Sequence, residues 1–203
     1  MSCSYLMLVL VFLLVEYTDS AHAAAYSQAH CYITPSLSAH CPGDPCLTLA
    51  EIATNSTGYL GNETNISLSF LPGNHSLDGE LSLSHADNFS MIKITGGNGT
   101  VFIECGNLSG RFNISETTFA TIKDLHFVGC GGNRVSQVEQ FIVEDTIFEG
   151  LEGRGTALVL NEVSAVSIAK SYFISNTHDN KFEQHGISSL SSSQDKLNYL
   201  FLE

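Results

Sequence analysis

The sequence predicts an all-β solenoid, a three-sided β-helix of about five coils, and the first observation behind this prediction is a repeat. Residues 120–127, 141–148 and 166–173 each alternate apolar with other residues, pass through a turn position and end in Phe. The alternation predicts a strand, and the turn predicts a bend into a second short strand. Because one such unit cannot bury its own apolar face, the repetition predicts that each coil covers the next.

The second observation is the spacing of equivalent residues in successive coils. The intervals between them are 24, 28, 21 and 25 residues, the size of one coil of a three-sided β-helix. Short strands on a further side are expected at residues 81–83, 112–114 and 157–160. The equivalent residues are Phe70, Ile94, Ile122, Val143 and Ile168.

The composition is that of a single turn-rich β domain. Its 203 residues are 43% hydrophobic, with 17 Gly and no Trp, which suffices for one core. The 8 Lys and Arg are outnumbered by 21 Asp and Glu, so the net charge is −13. Nucleic acids and anionic membranes bind basic surfaces, and the acidic balance therefore argues against both as partners.

The N-terminal residues 1–23 are predicted to be a signal peptide. Residues 5–15 form an almost wholly apolar run of 11, too short to span a bilayer, and Ala21-His-Ala23 offers a cleavage site. An uncleaved anchor is the alternative. After cleavage we expect a secreted, extracellular chain that does not insert into membranes.

Secretion makes the remaining cysteines candidates for disulfide bonds. Cys105 and Cys130 lie 25 residues apart, one coil, so stacking would bring them side by side. Cys41 and Cys46 flank a Pro-Gly-Asp-Pro turn that can close on itself, while Cys31 competes for either thiol. The odd cysteine is free, pairs with another chain, or reflects a longer gene. A metal site is not favoured, because the cysteines lack the CxxC spacing that is common in such sites.

A short helix is predicted to cap the open N-terminal end of the solenoid. Thr48 is the expected N-cap, Glu51 completes a capping box, and Leu47 and Ile52 occupy the hydrophobic staple positions. Gly58 is expected to end the helix. The predicted segments are a Cys/Pro-rich stretch over residues 24–47, the β-helix with its capping helix over 48–176, and a Ser-rich tail or incomplete coil over 177–203.

Two stretches, residues 46–53 and 66–77, resemble the start of the pectin-lyase-like right-handed parallel β-helix superfamily, in which a capping helix leads into a strand, a Pro-Gly turn and the next coil. More narrowly, CPGDPC, FLPGNHSL, an isolated Cys105 and IKDLHFVGCGG resemble extracellular animal proteins with right-handed β-helix domains. The resemblance covers residues 31–176 and implies a right-handed coil. It implies no particular activity, because the superfamily contains lyases, hydrolases and binding proteins.

N-glycosylation sequons are concentrated in the first half of the chain. Eight Asn-x-Ser/Thr sites precede residue 116 and none follows. A glycosylated residue faces solvent, so the first half of the solenoid is expected to be shielded by sugar and the second half bare, with four or more sites occupied. The sites are Asn55, Asn62, Asn65, Asn74, Asn88, Asn98, Asn107 and Asn113.

The turn column of the repeats contains the candidate catalytic and calcium-binding residues. Asp124, Asp145 and Lys170 occupy equivalent positions, with Glu144 beside the second. The resemblance implies a comparison with polysaccharide lyases of this fold, in which acidic residues hold calcium and a Lys or Arg removes a proton. We favour a ladder of turn residues, since tight bends favour Asp, Asn or Gly and Gly96 fills the preceding coil. Asp124 and Asp145 thus remain the calcium candidates, and no catalytic or other cofactor-binding residue is predicted.

The function predicted from these features is extracellular binding, recognition or structural display by a secreted, N-glycosylated and non-catalytic domain. The expected partner is an extracellular glycan or protein, contacted by the bare second half. One alternative is a calcium-dependent polysaccharide lyase that acts on acidic glycans through Asp124, Asp145 and Lys170. The other is the ectodomain fragment of a longer cell-surface receptor.

Overall fold

The structure, a computed structural model, describes residues 28–36, 41–42, 45–60, 65–84, 90–106, 110–150, 157–174 and 187–190. The predicted signal peptide lies outside the described residues. Two short helices are α1 (Leu49–Thr54) and α2 (Ser56–Leu60). The strands are β1 (Gln28–Thr34), β2 (Cys46–Thr48), β3 (Asn65–Phe70), β4 (Gly73–Ser76), β5 (Glu80–Ser84), β6 (Met91–Gly96), β7 (Val101–Glu104), β8 (Arg111–Lys123), β9 (His126–Val128), β10 (Asn133–Glu144), β11 (Ile147–Glu149), β12 (Leu158–Ala169), β13 (Tyr172–Ile174) and β14 (Ile187–Leu190).

All the strands pair in parallel, and they form two sheets of a β-solenoid of about four turns. The larger sheet has the order β14-β12-β10-β8-β6-β3-β1-β2, with β5 also paired to β8. The smaller sheet has the order β13-β11-β9-β7-β4. The predicted all-β solenoid is confirmed. The structure has about four turns, where the sequence predicted about five coils.

The larger sheet is bent into two sides by left-handed residues in the middle of its long strands. Glu116, Gln137 and Glu162 have φ values of 55°, 54° and 54° in β8, β10 and β12. Such a backbone angle turns the chain without ending the sheet, so each long strand serves two sides. The smaller sheet supplies the third side, and the short strands predicted at residues 81–83, 112–114 and 157–160 lie in the larger sheet.

The register of the coils agrees with the predicted equivalences at every position but the first. Ile94 pairs with Ile122, which continues to Val143 and then Ile168. The residue of β3 that pairs with Ile94 is Leu68, whereas Phe70 pairs with Gly96. The choice of Phe70 was wrong because β3 carries one more inward apolar residue than β6, and the true interval between Leu68 and Ile94 is 26 residues.

The Phe residue that ends each repeat forms a column inside the solenoid. The rings of Phe127, Phe148 and Phe173 stack with centroids 5.0 Å apart and planes within 7° of parallel. Phe112 meets Phe127 edge-on at 5.3 Å. Both geometries are favourable for aromatic pairs, and the column joins three coils through their interiors.

One buried polar side chain, Asn133, also connects three coils. Its Nδ2 donates to the carbonyls of Cys130 at 3.2 Å and Ala157 at 3.0 Å, and its Oδ1 accepts from the Phe112 amide at 2.9 Å. The residue is 2% exposed, so each of these bonds satisfies a group that water does not reach.

The helix α1 begins as predicted and ends earlier than predicted. Thr48 is the N-cap, and its capping box with Glu51 is complete. The helix ends at the C-cap Asn55, whose φ of −145° leaves the helical region. Gly58 was therefore the wrong stop, since it lies within α2. Leu49 and Ile52 are buried in the core, and α1 packs against β4 and β5 at the N-terminal end.

The solenoid sheets extend beyond residues 48–176, the bounds predicted for the β-helix. β1 pairs with β3 and directs Cys31 and Ile33 into the core, so the Cys/Pro-rich segment contributes a strand. β14, within the predicted tail, pairs with the first half of β12. None of the helices in the described ranges is both long and apolar enough to cross a membrane.

Both predicted disulfides are present. Cys105 and Cys130 are bonded across one coil, with Cα atoms 5.0 Å apart, and Cys41 is bonded to Cys46. Cys31 is the free cysteine among the described residues, and burial raises the pKa of its thiol.

Candidate functional site

The predicted turn column lies at the corner between the larger and smaller sheets. Asp124, Asp145 and Lys170 have φ values of 57°, 48° and 50°. The amide of Asp124 donates to the Glu144 carbonyl at 3.2 Å, and that of Asp145 to the Ala169 carbonyl at 3.1 Å. All three residues therefore turn successive coils, and Asp124 and Asp145 remain bonded to the coil above them.

Gly96, expected at the same corner for its left-handed freedom, is required for a different reason. Its φ lies outside the left-handed region, and a Cβ atom placed there would run into the Asp124 carbonyl. The next coil packs so closely at this point that only hydrogen fits. The expectation about the backbone angle was thus wrong, although the need for glycine is real.

The structure brings a set of charged side chains together beside this corner, which the sequence pattern alone did not show. Lys123 Nζ lies 2.8 Å from Glu144 Oε2 and 3.9 Å from Asp145 Oδ2. Lys170 Nζ lies 3.9 Å from Glu144 Oε1. We call these four residues the corner cluster; its members come from three successive coils that the register stacks.

The protonation states in the corner cluster favour ion pairing over proton transfer. The hydrogen bond to Glu144, followed by the nearby acidic charges, raises the pKa of Lys123, while the Lys123 ammonium lowers the pKa of Glu144. A lysine that removes a proton from a substrate needs a lowered pKa. Here the ammonium form is stabilised, so Lys123 is suited to hold its proton.

The same geometry bears on the calcium candidates Asp124 and Asp145. The Lys123 ammonium already lies between Glu144 and Asp145, where a bound cation would need to collect carboxylate oxygens. Within the described ranges, no group of three or more His, Cys, Asp or Glu side chains is arranged to hold a metal ion.

Five of the predicted glycosylation sites are among the described residues. Asn55, Asn74 and Asn98 are exposed, whereas Asn65 and Asn113 are half-buried. Asn113 Nδ2 donates to Glu80 Oε1 at 2.9 Å, and its Oδ1 is buried. Asn62, Asn88 and Asn107 lie outside the described residues. The exposed sites lie at the C-cap of α1, on β4 and in the turn before β7, all in the N-terminal coils.

A second candidate site is the solvent-facing surface of the smaller sheet, which we call the outer face. In each strand of the smaller sheet a residue that points into the core is flanked by two residues that point outward, since side chains alternate along a strand. The outward residues stack into two rows along the solenoid axis. They are Asn74, Phe102, His126, Ile147 and Tyr172 in one row and Ser76, Glu104, Val128, Glu149 and Ile174 in the other.

The outer face carries two of the three large hydrophobic residues that are exposed in the described ranges. Tyr172 is 61% exposed and Ile174 is 42% exposed, and Tyr59 is the third large hydrophobic residue that is exposed in the described ranges. For comparison, an outward row of the larger sheet consists of Ser69, Thr95, Lys123, Glu144 and Ala169. Apolar side chains accumulate on the outer face toward its C-terminal end, on β9, β11 and β13.

Two carboxylates on the outer face are held in place by residues one coil earlier. His126 Nε2 donates to Glu149 Oε2 at 2.8 Å, and Asn74 Nδ2 donates to Glu104 Oε1 at 3.0 Å. The His126 ring also packs on Phe102, with centroids 4.9 Å apart. The repeats contained the signal for this arrangement, because the residues on either side of each final Phe are the outward ones.

The outer face and the corner cluster are what the described residues offer as functional surfaces. One is apolar with fixed carboxylates, which suits binding, and the other is a set of ion pairs. Comparison of the chain with protein-family models, with curated proteins and with solved structures finds no match.

Proposed function

We propose that this chain is a secreted, N-glycosylated β-helix domain, a relative of the pectin-lyase-like superfamily, that binds a partner outside the cell without catalysing a reaction. The observation that carries the proposal is the outer face, where Tyr172 and Ile174 are exposed at the end of the solenoid that has no sequons. Contiguous exposed apolar side chains are typical of interaction surfaces.

The distribution of sequons supports the same assignment. Asn74 is exposed at the N-terminal end of the outer face, so a sugar there would cover that end. No sequon follows Asn113, and the coils of β9, β11 and β13 would stay open to a partner. Sugar would thus protect one part of the surface and leave the apolar part free.

The corner cluster gives the lyase alternative no support. A calcium-dependent lyase needs carboxylates that are free to bind the metal. Lys123 bonds to Glu144 and lies 3.9 Å from the calcium candidate Asp145, so a lysine ammonium already occupies the place where a calcium ion would collect these oxygens.

Expression of the full chain in a eukaryotic secretory host tests the proposal. We expect the protein in the medium, starting after Ala23, with N-linked glycans on sites before residue 116. Retention inside the cell, or an unglycosylated product, would contradict secretion and glycosylation. O-linked sugar across the second half would remove the shielding argument.

Incubation of the same protein with acidic polysaccharides tests the absence of catalysis. We expect no unsaturated uronate product with or without calcium. A product that disappears with a chelator and with Asp145→Ala would establish the lyase instead.

A further inference from the structure

We infer that the outer face docks a protein partner that presents arginine side chains next to apolar ones. The inference rests on the proposed binding function and names the partner's chemistry. It is carried by the juxtaposition, on one small sheet, of exposed apolar residues with the carboxylate of Glu149, which His126 holds in place from the coil before.

The apolar component is concentrated on adjacent strands. Tyr172 and Ile174 occupy both outward positions of β13, and Ile147 and Val128 lie next to them on β11 and β9. Covering apolar surface removes it from water and so stabilises a complex. Aliphatic side chains gain this energy against apolar residues of a protein.

The carboxylate of Glu149 determines the charge that such a partner must carry. Glu149 lies between Val128 and Ile174 in one row, so any molecule covering these apolar residues also takes water from its charge. An ionised carboxylate that loses water without a cationic partner destabilises the complex. The partner must therefore supply positive charge.

Arginine fits this arrangement better than lysine. His126 engages Glu149 through Oε2, so this carboxylate presents its other oxygen in a fixed orientation. A guanidinium group donates several hydrogen bonds in one plane and also stacks on aromatic rings. Tyr172 provides such a ring in the neighbouring row.

Charge also decides against two other occupants. A second copy of the chain is also strongly acidic, with a net charge of −13 over the full sequence, and would place Glu149 near its own carboxylates. A neutral glycan offers hydroxyl groups to the carboxylates but no positive charge. It would also leave the aliphatic side chains of Ile147 and Ile174 without apolar partners.

The experiment uses the glycosylated full chain, immobilised and exposed to a phage-displayed library of random linear peptides and, in parallel, to an array of neutral and acidic glycans. We expect selected peptides to contain arginine with aliphatic or aromatic residues. Replacing that arginine by lysine in the synthetic peptide should raise its Kd, and so should raising the salt concentration.

Variants then locate the binding surface. Tyr172→Ala and the isosteric Glu149→Gln should each raise the peptide Kd about tenfold or more. Tyr59→Ala and Glu139→Gln are the matched controls, since Tyr59 is exposed on α2 and Glu139 is exposed on the larger sheet. Both controls should leave the Kd unchanged. Circular dichroism checks that every variant is folded.

Each contrary result has a distinct meaning. Peptides whose Kd is unaffected by Tyr172→Ala and Glu149→Gln would overturn the inference and leave the binding function standing. Glycan binding that is lost with Tyr172→Ala, without peptide selection, would make the occupant a glycan. A dimer that Tyr172→Ala dissociates would make it a second copy. Absence of any peptide or glycan ligand would count against the proposed function itself.

Discussion

Replacing Asn133 by Ala should destabilise the protein by about 3 kcal/mol or more. The substitution leaves the Phe112 amide and the carbonyls of Cys130 and Ala157 without the bonds of 2.9, 3.2 and 3.0 Å described above. A buried polar group without a partner costs about 1–3 kcal/mol, and the amide is the least tolerant of the three. With a urea dependence of about 2 kcal/mol per M, the unfolding midpoint should fall by about 1.5 M.

The assay is urea unfolding followed by far-UV circular dichroism. Asn161→Ala is the matched control, because Asn161 is a half-buried asparagine in β12 and, like Asn133, lies outside any sequon. It should shift stability by less than about 0.5 kcal/mol. Asn133→Asp keeps the acceptor for the Phe112 amide but loses both donated bonds, and it should also be destabilised. If Asn133→Ala and Asn161→Ala have the same midpoint, the inter-coil bridge contributes nothing.

Three further predictions concern the same core. Removing the disulfide with Cys105→Ala and Cys130→Ala should cost roughly 3–4 kcal/mol for a loop of 25 residues, and an unchanged urea midpoint would refute this. Gly96→Ala should lower the free energy of unfolding by about 1–3 kcal/mol, because the added Cβ forces two coils apart. Gly79→Ala, which has open space at its Cβ, should leave the stability nearly unchanged. Equal melting temperatures of the two variants would contradict the close packing at Gly96. Burial lowers the pKa of His75 below its ordinary 6.5, so as the pH falls the unfolded chain binds a proton at His75 before the folded chain does. The stability due to neutral His75 is therefore complete above pH 6.5 and is lost as the pH falls from 6.5 through the lowered pKa of the folded state. His75→Gln should weaken the pH dependence of the melting temperature. Identical pH profiles of the variant and the unchanged protein would refute the assignment to His75.

The parts of the fold that follow from local spacing could be predicted from the sequence. Phe127, Phe148 and Phe173 recur at the spacing of a coil, and they stack in one column. Cys105 and Cys130 are one coil apart in sequence and bonded in space. In both cases the stacking rule converts a sequence interval directly into a contact.

Features that depend on the register between coils could not be predicted in this way. Glu116 and Gln137 adopt left-handed angles at a bend, although neither residue type favours such angles, because the stacked sheet fixes the backbone there. The sequence does not distinguish Asn133 from other asparagines outside sequons, because its backbone partners at Phe112 and Ala157 belong to neighbouring coils. The outer face was missed for a related reason, since its character comes from five strands that are far apart in the chain.

The left-handed corners also bear on how this surface can change. Glu116, Glu162, Asp124, Asp145 and Lys170 are all exposed residues whose backbone angles are set by the stack and not by the side chain. Acidic and basic residues already occupy equivalent positions, as Asp145 and Lys170 show. The corners are therefore positions where substitutions can alter the surface charge of the solenoid while its coils remain the same.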